Sequence, residues 1–199
     1  MLVDLNVEIF QWIHAGSGTR PVVDAAAVFF AQGGPWIMAG FFIVLWFFVN
    51  RNKKISLLQA SWAAILGLII NWVIAFFYFH PRPFMMGLCT PLFSHVRETS
   101  FPSDHASLLF SAALYLFMDR KCLVYGIPLL FVAILTAWGR VYCGIHFPFD
   151  MVGSFAVGFI SAGFIHLLSR WLHPFNKRLV FVSEQLLHTI VRVLRPYEQ

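Results

Sequence analysis

The sequence predicts an all-α integral membrane protein, a bundle of about five full transmembrane helices plus a short N-terminal re-entrant or interfacial helix. Three observations carry this. The 199 residues are 59% hydrophobic and only 12% charged, with a mean hydropathy of +0.75, which is membrane-protein composition. Five runs are apolar over most of the roughly 20 residues that a hydrocarbon core requires. The basic residues alternate between connecting segments, which fixes an orientation. No linker, low-complexity tract or internal repeat divides the chain, so 1–199 is expected to form a single membrane-embedded domain.

The N-terminus, MLVDLNVEIF, has acids and no basic start, so a cleaved signal peptide is not expected and residues 1–20 read as an interfacial amphipathic segment. VVDAAAVFFA (22–31) is too short to cross alone and is cut off by Gly33-Gly34-Pro35. That predicts a separate re-entrant or interfacial helix, with Asp24 pairing with Arg20 one turn earlier. Spans are expected over 35–49, 56–79, 104–118, 122–139 and 149–168, all helical because open sheets cannot cross a bilayer. Residues 175–199 read as a cytoplasmic amphipathic tail, interfacial over 179–194. With RNKK (51–54) inside, ten of the 14 Lys+Arg lie inside, and only Arg20, Arg82, Arg97 and Arg140 lie outside. Three cysteines without CxxC spacing suggest neither a disulfide framework nor a zinc site.

The outer side collects the unusual chemistry. The span over 56–79 leads into YFHPRPF (78–84), the next begins at FPSDHAS (101–107), and the fourth ends at GRVYCGIHFPFD (139–150). Residues 104–139 form a helical hairpin, so its open end returns His105 and His146 to one membrane level. Each group has a plain reading: Ser103 and Asp104 cap a helix, Asp150 caps another, and the arginines snorkel. Together, two histidines, two arginines, an acid and a helix start suit a multiply charged oxyanion, most naturally phosphate. Two imidazoles can supply a nucleophile and an acid, and Asp150 is spaced to fix the His146 tautomer. Cys143 is not in a thiol-phosphatase loop, because no arginine follows at the required spacing. His80, His95, Arg97 and Glu98 flank the site and could contact substrate, but read better as solvated loop residues, and Ser154, Gly158 and Ala162 read as a helix-packing stripe.

These motifs resemble the three-part signature of the type 2 phosphatidic acid phosphatase superfamily: Lys-x6-Arg-Pro, Pro-Ser-Gly-His and Ser-Arg-x5-His-x3-Asp. Here they read AFFYFHPRP (75–83), PSDH (102–105) and GRVYCGIHFPFD (139–150). EIFQWIH, INWVIAFFYFHPRPF, SFPSDH and IHFPFDMVGS are more narrowly similar to undecaprenyl-diphosphate phosphatases of the bacitracin-resistance type, over roughly residues 7 to 175.

The resemblance implies His146 as nucleophile, Asp150 as its orienting partner and His105 as general acid. It assigns Arg82, Arg140 and Ser103, with Asp104 beside them, to the phosphate. It further implies no cofactor or metal, a polyprenyl diphosphate substrate among membrane lipids, no nucleic acid and no obligate protein partner. The place is a bacterial cell membrane with the site facing outward. A broader lipid phosphatase, a lipid phosphotransferase, a headgroup transporter and a metal hydrolase using His105, His146, Asp104 and Asp150 stay open. Three positions depart from the signature: Ala75 replaces the lysine, Gly139 the serine before Arg140, and Asp104 the glycine. Arg97 is a candidate to replace the missing cation.

Overall fold

The computed structural model describes residues 1–194. Six α-helices follow in order: α1 (Leu2–His14), α2 (Pro21–Phe48), α3 (Arg51–Phe77), α4 (Asp104–Met118), α5 (Leu123–Tyr142) and α6 (Pro148–Leu194), with a short 3-10 turn at Pro83–Met86. Four of them, α2, α3, α5 and α6, are long and apolar enough to cross a membrane. α4 has only 15 residues. It is the central element, packed against α2, α3, α5 and α6, with Ala106, Leu109, Ala112, Ala113 and Leu116 wholly buried.

Small residues let the helices close on α4. A Cβ at Gly158 of α6 would lie 2.7 Å from Phe110 Cβ, and one at Gly67 of α3 would lie 2.4 Å from Ser111 Oγ. Without a strong hydrophobic drive between helices in lipid, such approach supplies the packing. Large apolar side chains such as Trp36, Phe47, Trp72 and Phe131 point outward, away from this core.

Three expectations are corrected. Residues 22–31 and 35–49 are not separate elements, because α2 runs unbroken through Gly33, Gly34 and Pro35. A proline costs an interior helix one hydrogen bond, but a neighbouring helix can serve the freed carbonyl. Here Arg140 Nη1 of α5 donates to Ala31 O at 3.1 Å. Gly34 lets α2 lie close to α5, since a Cβ there would sit 2.3 Å from Thr136 Oγ1.

The segment 179–194 is likewise no separate helix: α6 continues through Pro174 to Leu194. Its far half is held along α3, with Trp62 Nε1 donating to Asn176 Oδ1 at 3.0 Å and Lys54 pairing with Glu184 at 3.1 Å. Positions 195–199 of the expected tail lie outside the described residues. Asp24 does not pair with the Arg20 side chain; it accepts from the Arg20 and Gly18 amides, both at 3.2 Å, and from Tyr142 Oη at 2.8 Å.

Candidate active site

One end of the bundle brings four chain segments together. Arg82 follows α3 and precedes Pro83, a position that favours extended backbone, and it has φ −76 and ψ 157. Its guanidinium is 3% exposed and fully occupied. Nη1 donates to Ile145 O and faces His146 Nε2, both at 2.9 Å. Nη2 donates to Glu98 Oε1 and Thr99 O, both at 3.1 Å, and Nε to Glu98 O at 3.2 Å.

α5 ends in a reversal at Gly144, whose φ of +82 few side chains tolerate. This turn returns His146 over Arg140, whose Nη2 lies 3.1 Å from His146 Nε2. α6 starts at Pro148, and Asp150 Oδ2 accepts from Phe147 N at 2.8 Å, which caps that helix. The same oxygen lies 3.2 Å from His146 Nδ1. Capping and orienting are therefore both done by Asp150.

These contacts set the tautomer. Guanidinium N–H groups only donate, so Nε2 must present its lone pair to Arg82 and Arg140. Nδ1 then carries the proton and donates to the Asp150 carboxylate. His146 is 1% exposed, and burial, with Arg140 adding and Asp150 opposing, takes its pKa from 6.5 down to about 3. The imidazole is therefore neutral, with its Nε2 lone pair engaged by the two guanidiniums. Cys143 is the reverse case, because burial pushes its thiol up to about 12.

The His146 shift has a consequence for stability. Below its ordinary 6.5, the unfolded chain takes up a proton that the folded site refuses until about pH 3. Stability from this group is complete above 6.5 and falls as pH drops towards 3. Melting temperature in detergent, followed from pH 7 to pH 4, should decline less steeply for His146→Gln than for wild type. Equal slopes would show that His146 is not held neutral.

A cavity of about 370 Å³ is lined by Arg82, His95, Asp104, His105, Arg140 and His146, with Ala75 and Asn71 in its wall. His105 and His146 thus share one space. Asp150 sits behind His146 and does not line the cavity. Nor does Ser103, which is wholly buried. Its hydroxyl makes no cap bond and is without a partner among the described residues. The Ser103 amide donates to Ser154 Oγ at 2.9 Å, so Ser154 fixes the α4 start instead of serving as mere packing. The first amide returned to α4 is Ser107 N, bonded to Ser103 O at 2.8 Å. The amides of residues 104–106 precede it, as at any helix start.

Asp104 has a physical account that the sequence did not offer. Its Oδ1 accepts from Asn71 Nδ2 at 2.9 Å, and Asn71 Oδ1 accepts from Ser107 Oγ at 3.1 Å. The acid ties α3 to α4 at the cavity wall. Arg97 is exposed and does not line the cavity, whereas His95 does, with Nε2 3.3 Å from Arg140 Nη2. Ser100 is unmarked in the sequence, and the loop residues Glu98 and His80 are engaged with the site. Ser100 Oγ donates to Asp150 Oδ2, Glu98 clamps Arg82, and His80 Nδ1 lies 3.5 Å from Asp150 Oδ1. No group of three or more His, Cys, Asp or Glu placed to hold a metal ion occurs among the described residues.

Residues 56–174 match the family model described as the PAP2 superfamily. The chain belongs to the PAP2 superfamily. It is 34% identical over 197 residues to "Undecaprenyl-diphosphatase BcrC" of Bacillus subtilis (strain 168), covering 98% of this chain and 99% of that protein. It is 31% identical over 161 residues to "Putative undecaprenyl-diphosphatase YbjG" of Escherichia coli (strain K12), covering 81% of each. The crystal structure of Aquifex aeolicus LpxE superposes with a TM-score of 0.66 at 25% identity, covering 81% of this chain and 94% of that one. The apolar helices and this membership make the chain a multi-pass membrane phosphatase.

α1 and α2 precede the PAP2 match, yet both border the site. Phe10 of α1 packs edge-on to Phe147 at 5.4 Å, and α2 holds Arg140. The departure at Gly139 follows from α2, because a Cβ there would lie 2.6 Å from Ala27 O. A serine at this position would push the two helices apart.

Proposed function

We propose that the protein hydrolyses undecaprenyl diphosphate to undecaprenyl phosphate and phosphate, recycling the lipid carrier of cell-wall synthesis. Two findings support this reading: the His146 Nε2 lone pair facing two guanidiniums at 2.9 and 3.1 Å, and likeness to proteins named undecaprenyl-diphosphatase. In this reading the five spans are α2 to α6, α1 lies in the interface, and the site faces outward from a bacterial cell membrane.

The terminal phosphoryl group enters between Arg82 and Arg140, displacing their contacts with Nε2. His146 Nε2 attacks phosphorus in line while His105 protonates the bridging oxygen. The P–O bond breaks, the lipid monophosphate leaves, and a phosphohistidine remains on His146. Water, deprotonated by His105, then attacks phosphorus, and the P–N bond breaks to release phosphate. The arginines stabilise charge on the equatorial oxygens, the dominant contribution in such transfers. Asp150 stabilises the cationic ring of the intermediate.

The test is phosphate release from undecaprenyl diphosphate by purified protein in detergent with excess EDTA, with phosphatidic acid in parallel. Release from the diphosphate alone is expected. Preference for phosphatidic acid would overturn the substrate and keep the chemistry. Abolition by EDTA would overturn the metal-free mechanism.

A further inference from the structure

Arg82 and Arg140 are held very differently. Arg82 rests on three backbone carbonyls and the Glu98 carboxylate. Arg140, 4% exposed, has one acceptor oxygen among the described residues, Ala31 O of α2, 3.1 Å from Nη1. Ala31 stands one turn before Pro35, inside a continuous helix. Other carbonyls in a helix interior accept the amide four residues on and have only a second lone pair for a side chain, as Ser169 O has for Gln59 Nε2; proline has no amide to give, so Ala31 O lacks that competitor.

We propose that Pro35 is a positioning residue for the phosphate site: by lacking an N–H, it keeps Ala31 O free to fix the Arg140 guanidinium. This rests on the reading of Arg140 as a phosphate ligand. A guanidinium is planar and rigid, so anchoring Nη1 also sets where Nη2 and Nε point. Nη2 is thereby aimed at His146 Nε2, which a phosphoryl oxygen replaces as its acceptor on binding. Nε is buried without a partner among the described residues, which leaves it to meet a second oxygen.

Two glycines bring the carbonyl within reach. A Cβ at Gly139 would meet Ala27 O at 2.6 Å and Ala31 N at 3.2 Å, and one at Gly34 would meet Thr136 Oγ1 at 2.3 Å. The proline that reads in sequence as a helix break is therefore part of the site, supplied by a helix outside the PAP2 match.

The test compares three proteins: wild type, Pro35→Ala, and a variant with lactic acid at position 35. The last has alanine's methyl group but an ester oxygen in place of the N–H. Alanine restores the intrahelical bond and competes with Arg140 for Ala31 O, whereas lactic acid leaves that carbonyl free. Pro35→Ala should lower kcat/KM on undecaprenyl diphosphate about 10-fold or more, and calorimetric affinity for inorganic phosphate should fall with it. Its melting temperature should be unchanged or higher, because alanine suits a helix interior better than proline. The ester variant should recover both activity and phosphate affinity.

Full activity and phosphate affinity in Pro35→Ala would overturn the proposal. Equal impairment of the alanine and ester variants would also overturn it, showing that the ring rather than the missing N–H matters. If the wild type binds phosphate but does not cleave the diphosphate, the proposed function fails. The affinity order of the three proteins still decides the role of Pro35.

Discussion

His146→Ala should lower turnover of undecaprenyl diphosphate by about 10⁴-fold or more, the scale expected when a covalent nucleophile is removed. The arrangement gives no substitute. Both guanidiniums point at His146 Nε2, and the neighbouring Cys143 thiol is held protonated up to about 12 by burial. His105 shares the cavity but in the proposed mechanism protonates the leaving oxygen. The variant should still bind inorganic phosphate, because Arg82 and Arg140 keep their carbonyl anchors. A rapid-quench experiment with terminally labelled substrate should trap an acid-labile, alkali-stable phosphoprotein in wild type and none in the variant. Turnover within about tenfold of wild type would remove His146 from the nucleophile's role.

Much of this end of the molecule could be read in the chain because its cues are local. The FPSDHAS and GRVYCGIHFPFD segments each place a polar cluster where an apolar run starts or stops, and a helical hairpin must return its ends to one level. His105, Arg140 and His146 accordingly line one cavity. A residue whose meaning lies on another helix carries no such local cue. Gly33-Gly34-Pro35 has the local signature of a break, yet α2 is continuous there and Arg140 of α5 serves the carbonyl that Pro35 frees. Ser103 reads as a cap, but its hydroxyl is uncommitted and Ser154 of α6 bonds its amide. Ser100 and Glu98 sit in a loop with no periodicity or motif to mark them. Their importance comes from chain reversal between α3 and α4, which lays them on Asp150 and Arg82. The partner that explains Asp104, Asn71, is 33 positions away and invisible in a local window.

Asp150→Asn should cost about 10³- to 10⁴-fold in kcat, the range seen when a histidine's carboxylate partner becomes an amide. The carboxylate has two tasks, which the substitution separates. Its Oδ2 accepts from Phe147 N at 2.8 Å, and the asparagine carbonyl can do the same, so the α6 start and the melting temperature should change little. The other task is electrostatic. When His146 Nε2 bonds to phosphorus the ring becomes cationic, with the Nδ1 proton 3.2 Å from Oδ2, and a neutral amide cannot balance that charge. If the amide instead turns its NH2 into the Oδ2 position, it faces the donors of both Phe147 N and His146 Nδ1, and the α6 cap is lost as well. His146 then shifts its proton to Nε2, which removes the attacking lone pair. Both outcomes lower kcat, and ¹⁵N chemical shifts of the His146 ring distinguish them by the tautomer present. Asp150→Glu keeps the charge but moves it by one methylene, so it should retain more activity than Asp150→Asn if charge matters more than placement. Near-wild-type kcat in Asp150→Asn would mean that the carboxylate serves only to cap α6. The arginines would then hold the phosphohistidine through its phosphoryl oxygens, with no carboxylate needed for the ring charge.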